Sequence, residues 1–366
     1  MNEPWTAREL LTEADFDRAF QGAGRLLGQD FKNNRALRRP HPYIEPMGIE
    51  ILEGGQPKAY LFLDRYHILG FRTGLASTSR SPVLLVQPAD RAPALKTALD
   101  FLTRPGGIRK IKWILPEEDR PLFEEWAKTP PPGILWNASP NPYPDAVLNL
   151  PADFEQFLAS SGYKFRRNVR HYLKVSENKK WSFQRSLEGG LFQSAAGQLS
   201  RTSRFSHPRH RVAGFFNKLA VIPGAFGTGL FEGEKPLSVL GGWVLGTTAY
   251  ILFQLNDTHR PEASLSMTLR SHLLRSFISE GIQRVVLLGG SSQPILDLCG
   301  ENPHLDFVIR RSHWFWDAVE NLNVRHFQKT MAWLRLDFSH WAADQGGRSK
   351  DPPPPQVQGP ASGGLG

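Results

Sequence analysis

The stretch of sequence that decides the fold runs from residue 230 to residue 290. It opens with Leu230-Phe-Glu-Gly-Glu-Lys-Pro-Leu-Ser-Val-Leu-Gly-Gly-Trp-Val-Leu and continues with Thr247-Thr-Ala-Tyr-Ile-Leu-Phe-Gln-Leu. Both segments are rich in the β-branched and aromatic residues that favour strands. Gly233-Glu234 and Gly246 lie where the chain must reverse, and glycine tolerates the backbone angles of a tight turn. The pattern predicts long strands that are joined by turns at these glycines.

A polar loop, a helix and a buried strand complete the stretch. Residues 256–262 are polar and include a proline, and apolar residues then recur at the spacing of one helical face. The members of this apolar stripe are Leu265, Leu269, Leu273, Leu274, Phe277 and Ile278. Glu280-Gly281 predicts the end of the helix. The short apolar run Arg284-Val-Val-Leu-Leu-Gly-Gly is typical of a central strand that is covered on both faces.

Composition limits the classes of protein that fit the chain. It has 366 residues, of which 40% are hydrophobic and 22% are charged, and its net charge is +9. Such a chain is expected to fold as two or three domains, and no apolar run approaches the ~18 residues of a membrane span. The N-terminal residues lack a secretory pattern. Cys299 is the only cysteine, so neither an internal disulfide nor a cysteine-based metal site is expected, and a cytoplasmic location is favoured. The positive charge favours polyanionic partners.

The first part of the chain predicts a helix from Thr12, which can cap it, and then a series of short elements. Strands are predicted at 49–52, 59–63, 66–71, 83–86 and 106–115, turns at 54–55 and 64–65, and helices at 93–103 and 117–128. Residues 35–46 predict a loop. Proline-rich segments at 130–133 and 140–144 predict a boundary between domains 1–144 and 145–341. The tail, residues 342–366, is rich in Gly, Pro and Ser and is expected to be disordered.

The two parts of the chain echo each other. Glu53-Gly-Gly-Gln-Pro-Lys lies between two predicted strands, as Glu232-Gly-Glu-Lys-Pro does later. Gly107-Ile-Arg-Lys-Ile-Lys-Trp-Ile-Leu follows a helix, as Gly281-Ile-Gln-Arg-Val-Val-Leu-Leu does. A hairpin, a helix and a strand in the same order predict a duplicated unit. The competing interpretation is that strand–helix–strand sequences are common.

A basic arm occupies residues 161–230, with thirteen Lys or Arg and two acids. Its densest part is Tyr163-Lys-Phe-Arg-Arg-Asn-Val-Arg-His-Tyr-Leu-Lys-Val, which has helical spacing. Phe165, Val169 and Tyr172 are predicted to face inward. Arg166, Arg170 and Lys174 then form a row on a neighbouring face, beside Arg167, and this row is predicted to bind a substrate or a polyanion. The alternative is a solvated face that is paired with acids elsewhere.

A family resemblance rests on two segments. Leu150-Pro-Ala-Asp-Phe-Glu-Gln-Phe-Leu-Ala-Ser with Lys164-Phe-Arg-Arg-Asn-Val-Arg-His is similar to the opening of the GNAT-like acetyltransferase domain of cellulose-biosynthesis and FemAB-type proteins. Residues 265–290 resemble the family's helix, glycine and strand. The resemblance implies an α/β (α+β) fold with two GNAT-like units in tandem, each a mixed central sheet flanked by helices. Residues 149–290 carry it best, and the first unit is expected to be a degenerate copy.

The resemblance also implies an activity: transfer of an acyl group from acyl-CoA to the amine of a small molecule or peptide. It implies that two parallel strands splay around the thioester arm and that the pyrophosphate lies at the next helix N-terminus. The residues expected to bind the cofactor are then Leu255, Arg260, Ser264, Leu265 and Ser266. The family's loop pattern contains two glycines, whereas Arg260-Pro-Glu-Ala-Ser-Leu retains only the arginine.

Two alternatives to the acyl-CoA reaction stay open. FemAB-type relatives use aminoacyl-tRNA as the donor, and the basic arm suits a long polyanion such as tRNA. A copy that binds a nucleotide, RNA or a protein without turnover is the second alternative.

Candidate catalytic side chains are few. Asp257, at the end of the central strand, and Tyr250, on that strand, are the predicted catalytic residues, although packing is the simpler interpretation of Tyr250. Asp297 is a further candidate for substrate contact or helix capping. His207 and His210 are clustered without a visible third ligand, so no metal is assigned. The late aromatic residues, between 313 and 341, predict a core or a domain seam, with a hydrophobic pocket as the alternative.

Overall fold

The computed structural model describes residues 3–31, 44–68, 71–77, 84–116, 119–140, 145–202, 209–220, 222–260, 264–288, 298–302 and 304–311. Met1–Arg311 form one compact unit. Several predictions lie outside the described residues: the tail, the late aromatic residues, Asp297, His207, Gly289-Gly290 and residues 261–263. Among the described helices, none combines the length and the apolar character that crossing a membrane requires.

The described strands form two sheets. The first contains β1 (Trp5–Leu10), β2 (Ile44–Glu53), β3 (Gln56–Ile68), β4 (Phe71–Ser77), β5 (Leu84–Val86), β6 (Lys110–Pro116), β7 (Ile134–Pro140) and β15 (His304–Arg311). The second contains β8 (Asp145–Asn149), β9 (Ser182–Gln184), β10 (Ala225–Glu232), β11 (Lys235–Leu245), β12 (Thr248–Asn256), β13 (Arg284–Leu287) and β14 (Gly300–Asn302). Their orders are β1-β2-β3-β4-β6-β15-β7, with β5 beside β3, and β9-β10-β11-β12-β13-β8-β14.

The two sheets share one pairing pattern. Each begins with four antiparallel strands, continues with one parallel pair and ends with two more antiparallel strands. The parallel pairs are β4 with β6 and β12 with β13. A shared order, parallel pair included, confirms the predicted duplication and the mixed sheets.

In the sequence order of the two repeats, β8 ends the first repeat and β15 ends the second, and each lies in the sheet of the other repeat. β8 follows β7 in sequence but pairs with β13 and β14 of the second sheet. β15 follows β14 but lies between β6 and β7 of the first sheet. The predicted domain 145–341 therefore differs from the structure at residues 304–311. The predicted boundary at 144 and 145 places β8 with the second sheet, as observed, but it misses the position of β15, because pairing partners so distant in sequence leave no local signal.

Eight described helices cover the sheets: α1 (Glu13–Leu27), α2 (Arg91–Thr103), α3 (Arg120–Lys128), α4 (Phe154–Ser160), α5 (Tyr163–Asn178), α6 (Gly189–Thr202), α7 (Arg209–Ala220) and α8 (Leu265–Ser279). α2 and α3 pack on one face of the first sheet, and α1 packs on the other. α4, α5 and α8 pack on one face of the second sheet, and α6 and α7 on the other. Thr12 forms the predicted cap of α1, as a reciprocal capping box with Asp15.

Local predictions succeed at the turns of the second sheet and fail at two places in the first. Gly233 and Gly246 have positive φ values of 59° and 61° and lie at the predicted turns. The predicted turn at Asp64-Arg65 is wrong, because both residues lie within β3 and are buried. Arg65 donates to Glu9 at 2.8 Å and to Glu45 at 3.2 Å, so partners distant in sequence satisfy a charge that locally resembles a turn. Residue 44, predicted as loop, already belongs to β2.

Candidate functional site

β12 extends beyond the end of its parallel neighbour. The register with β13 runs from Thr248↔Arg284 to Ile251↔Leu287, and the Leu288 N–H donates to the Ile251 carbonyl at 3.1 Å. β12 continues to Asn256 and stays paired with β11 on its other side. Among the described residues, no strand flanks residues 252–256 on the side of β13. Within the described part of the chain, the backbone edge of β12 is therefore open from residue 252 to residue 256, in the middle of the second sheet.

A β-bulge lies where this opening begins. Gly241 pairs with Phe253 and Gly242 pairs with Ile251, so Leu252 has no partner on β11. The extra residue reverses the alternation of side chains along β12. Ile251 belongs to the core beneath α8, whereas Phe253 belongs to the core beneath α6 and α7.

The bulge depends on its two glycines. A Cβ atom on Gly242 would stand 2.0 Å from the carbonyl oxygen of Tyr250, and one on Gly241 would stand 2.7 Å from the ring of Phe253. No side chain fits at such distances without a shift of β12.

The bulge turns Gln254 toward the first turns of α8. The Gln254 side-chain oxygen accepts hydrogen bonds from Arg270 Nε at 2.8 Å and from Ser266 Oγ at 3.3 Å. Its side-chain nitrogen donates to Asn256 Oδ1 at 3.1 Å and to Ser238 Oγ at 3.2 Å. This polar network links β11, β12 and α8 at the open edge.

The polar network was not predicted from the sequence. Gln254 and Asn256 alternate with buried residues along β12, and Arg270 interrupts the apolar helix. A polar residue at every second position of a central strand was the available signal. Burial lowers the pKa of Arg270 to about 10, and the Cys299 thiol opposes this shift.

The N-terminus of α8 adjoins this network. Ser264 is the N-cap residue, but its side chain makes no capping hydrogen bond. Its carbonyl accepts from the Thr268 N–H at 2.8 Å. The first N–H groups of a helix and the helix dipole favour anions at such a position.

Comparison with known proteins addresses the fold. No protein-family model matches the sequence, and no curated protein matches it either. The structure of FemX matches at 10% identity with a TM-score of 0.52, over 83% of this chain and 97% of that one. This chain has a tandem GNAT-like fold.

Two further solved structures align over most of the chain. A C-terminal domain assigned to a lysylphosphatidylglycerol synthetase from Agrobacterium fabrum aligns at 11% identity, over 85% of this chain and 96% of that one, with a TM-score of 0.49. A tandem GNAT protein from the clavulanic acid biosynthesis pathway aligns at 12% identity, over 83% and 98%, with a TM-score of 0.42.

Arg260 of this GNAT-like unit already has an anionic partner. Its Nη1 donates to Glu232 at 2.9 Å, and its Nη2 bonds the second oxygen of the same carboxylate. Glu232 also accepts from the Trp181 indole at 3.2 Å. Hydrogen bonds from Arg260 and then from Trp181 hold the pKa of Glu232 below its ordinary value. An incoming phosphate must therefore compete with Glu232 for the guanidinium.

Asp257 is a buried, paired carboxylate. It is 4% exposed, lies 3.2 Å from Lys235 Nζ and accepts from the His259 N–H at 3.0 Å. Burial acts to raise its pKa, but the His259 N–H and Lys235 outweigh burial, so the pKa lies below its ordinary value. A carboxylate with a lowered pKa is a weak base. Asp257 thus holds the loop after β12 through these two contacts, and its catalytic role stays a prediction.

The other predicted site residues of the second sheet are divided between packing and the α8 N-terminus. Tyr250 stacks on Trp243 with 5.1 Å between ring centroids, in contact with the core beneath α6 and α7. Leu255 and Leu265 are 1% and 3% exposed, so they can offer a ligand only backbone groups. Ser264 and Ser266 lie at the α8 N-terminus itself.

The basic row on α5 is partly structural. Arg166 donates to the Ala159 carbonyl at 3.2 Å, and Arg170 bonds Glu155 at 2.7 Å, so both hold α4. Arg167 lies 6.0 Å above the Tyr163 ring, and Lys174 is exposed. Phe165 and Val169 face inward as predicted, but Leu173 is buried where Tyr172 was expected, and Tyr172 is half-buried.

The part of the chain that the structure describes contains no cluster of side chains suited to holding a metal ion. No group of three or more His, Cys, Asp or Glu side chains is suitably placed there. His207 lies outside those residues, and the structure does not describe the side chain of His210.

Proposed function

We propose that this protein is an acyltransferase that moves an acyl group from the thioester of acyl-CoA to an amine. The observation that carries the proposal is the open edge of β12 beside the N-terminus of α8. Residues 252–256 offer backbone N–H and C=O groups that an amide-containing arm can pair with, as an added strand does. The first turn of α8 offers N–H groups to the pyrophosphate.

The proposed reaction depends more on backbone groups than on side chains. The amine nitrogen attacks the carbonyl carbon of the thioester, and the carbonyl oxygen becomes an oxyanion. The bond to sulfur then breaks, the thiolate leaves and the amine nitrogen gives its proton to a water molecule. Backbone N–H groups on the open edge of β12 are proposed to bind the oxyanion, because fixed donors stabilise developing charge without reorganising. Tyr250, one residue before the paired end of β12, is the proposed donor of a proton to the thiolate.

The side chains around the opening have proposed positioning roles. Gln254, held by Arg270 and Ser266, keeps the end of β12 beside α8. Arg270 brings a buried positive charge to the helix. The Ser264 hydroxyl makes no capping hydrogen bond and can donate to a phosphate oxygen. Arg260 joins them when the donor's phosphate displaces Glu232.

The second candidate is an aminoacyl transferase that uses aminoacyl-tRNA. The supporting observation is that Arg167, Lys174 and Lys164 are exposed on α5, which carries five basic residues and one acid. Cations on a single face suit the repeated phosphates of a nucleic acid. The amine acceptor is proposed to be a small molecule or a peptide in both cases.

The donor is tested by thermal unfolding with acetyl-CoA, with free CoA and with total tRNA, each at two salt concentrations. A ligand that binds the folded state raises the midpoint by mass action. A shift with acetyl-CoA supports the first candidate, and a shift with tRNA that salt removes supports the second. No shift with any ligand would overturn both.

A matched pair of capping variants locates the donor. Ser264→Asp adds a carboxylate to an N-cap that lacks a side-chain hydrogen bond, so α8 gains a cap while the anion is repelled. Gly162→Asp adds the same group to the equally uncapped N-terminus of α5. The proposal expects Ser264→Asp to lose the acetyl-CoA shift without losing stability, and Gly162→Asp to keep it. Loss of the acetyl-CoA shift in both variants, or in neither variant, contradicts this position for the pyrophosphate.

A further inference from the structure

Four strands form the ends of the two sheets, and one of them differs from the rest. β9 and β14 have three residues each, and β1 carries Arg8 and Glu9. Short or charged end strands discourage pairing with other molecules. β7 has seven residues, Ile134-Leu-Trp-Asn-Ala-Ser-Pro, without a charged side chain. It is the long, neutral edge among the described strands.

β7 is open along nearly its whole length. It pairs with β15 from Ile134↔Arg311 to Pro140↔Leu305, and no described strand lies on its other side. Residues 135–140 are all exposed. Leu135 and Trp136 are 45% and 41% exposed, two of the few large hydrophobic side chains at the surface. Among the described residues, the strand thus combines an unpaired backbone edge with apolar side chains.

Trp136 is held in place although it is exposed. Its ring stacks on Phe307 of β15, with 5.2 Å between centroids and 13° between planes. Phe307 is in turn 1% exposed and packs edge-on against Phe123 at 4.7 Å. An aromatic side chain that is already ordered loses little entropy on binding, which is the property of an interface anchor.

The sequence of β7 is complementary to itself. When two copies run antiparallel about Asn137, Trp136 of one copy faces Ala138 of the other. Leu135 then faces Ser139, and Asn137 faces Asn137, whose amides can bond each other. Each bulky side chain therefore meets a small one, and no like charges oppose each other although each chain carries +9.

We infer that β7 pairs with β7 of a second copy about a two-fold axis at Asn137, joining the first sheets of two molecules. The pairing is isologous, so each residue at position 137 faces its own equivalent. A single strand pair is a small interface, and the dimer is accordingly expected to depend on concentration.

The test measures the mass of the full chain by sedimentation equilibrium over a range of concentrations. The wild type is expected to approach twice 41.2 kDa. Asn137→Lys places two like charges opposite each other, as does Asn137→Asp, so each variant alone is expected to weaken the dimer at least tenfold. A mixture of the two variants places opposite charges together and is expected to restore it.

Thr6→Lys serves as the matched control, because Thr6 is exposed on β1 at the other end of the same sheet. It is expected to leave the mass unchanged, and circular dichroism checks that all variants fold. A wild type that stays monomeric overturns the inference, even when it binds an extended peptide along β7. A dimer that tolerates both Asn137 variants, or a mixture that fails to associate, overturns it as well.

Discussion

At the scale of single residues, the site depends on which charges are already paired. The family resemblance predicts Arg260 as a ligand of the cofactor, and the structure pairs it with Glu232, 28 residues earlier. Asp257 was predicted as catalytic, and it is paired with Lys235. The sequence placed both residues in the correct loop. It could not show their partners, because the turn between β10 and β11 brings them there.

The pair Arg260 and Glu232 yields the first prediction. Glu232→Gln removes the anion that occupies the guanidinium, so acetyl-CoA is expected to bind roughly two- to fivefold more tightly, the scale of an exposed ion pair. Isothermal titration measures the change. Glu234→Gln, on the adjacent turn, is the control and is expected to leave affinity unchanged. Weaker binding by Glu232→Gln would show that Arg260 serves only the fold.

The bulge yields the second prediction. Gly242→Ala forces a Cβ atom against the Tyr250 carbonyl, so the free energy of unfolding is expected to fall by about 1–3 kcal/mol. The donor shift is expected to shrink with it, because β12 must move. Urea unfolding measures the loss. Gly197→Ala on α6, where a Cβ would meet nothing within 4 Å, is the control, and it is expected to be neutral or stabilising.

At the scale of elements, the sequence predicted what local pattern determines. The apolar stripe from Leu265 to Ile278 gave α8, and the positive-φ glycine at Gly281 ends it. The Gly241-Gly242 pair was visible, but its bulge was not, since a bulge depends on the register between two strands. The face of α5 was assigned one residue away from the observed Leu173, because Tyr172 and Leu173 are both apolar enough to be buried.

His272 on α8 yields a prediction of pH dependence. It stacks on Phe183, lies 3.1 Å from the Ser176 hydroxyl and is affected by Arg275 and Glu177. Burial, and then Arg275, lower its pKa below the ordinary 6.5, while Glu177 opposes them. The folded state thus binds fewer protons than the unfolded state. The stability contribution is present in full above pH 6.5 and is lost as pH falls toward the lowered pKa.

His272→Gln removes this titration while it keeps a polar partner for Ser176. The drop in unfolding midpoint between about pH 7.5 and about pH 5.5 is expected to be smaller in the variant than in the wild type. His171→Gln, on the exposed face of α5, is the control and is expected to keep the wild-type drop. An equal drop in His272→Gln and wild type would remove His272 as its source.

At the scale of the whole molecule, the two sheets depend on each other. β15 completes the first sheet and β8 completes the second, so each sheet contains the last strand of the other repeat. The repeated hairpin around Gly55 and Gly233 predicted the duplication. The exchange of strands had no such signal. Leu305, Phe307 and Ile309 alternate with polar residues as in any half-buried strand, and this pattern does not indicate which strands β15 pairs with.

The exchange predicts cooperative unfolding of both sheets. Phe307→Ala creates a cavity in the first core from a strand near the end of residues 1–311, at a cost of about 3–5 kcal/mol. Calorimetry is expected to show one unfolding transition for both sheets in the wild type. In the variant, this single transition is expected to stay single and to have a lower midpoint temperature. Val308→Ala, on the opposite face of β15, is the milder control. Two separate transitions, of which only one responds, would show that the sheets fold independently.

Hydrogen exchange tests the central claim most directly, because it reports where the donor binds. With acetyl-CoA, or with aminoacyl-tRNA if that is the donor, the amides on the open edge of residues 252–256 and the amides of residues 265–267 are expected to become protected. The corresponding amides of the first unit, at the N-terminus of α2, are expected to stay unchanged. Protection elsewhere, with none along β12 or at the start of α8, would contradict a donor site at the open edge between β12 and β13.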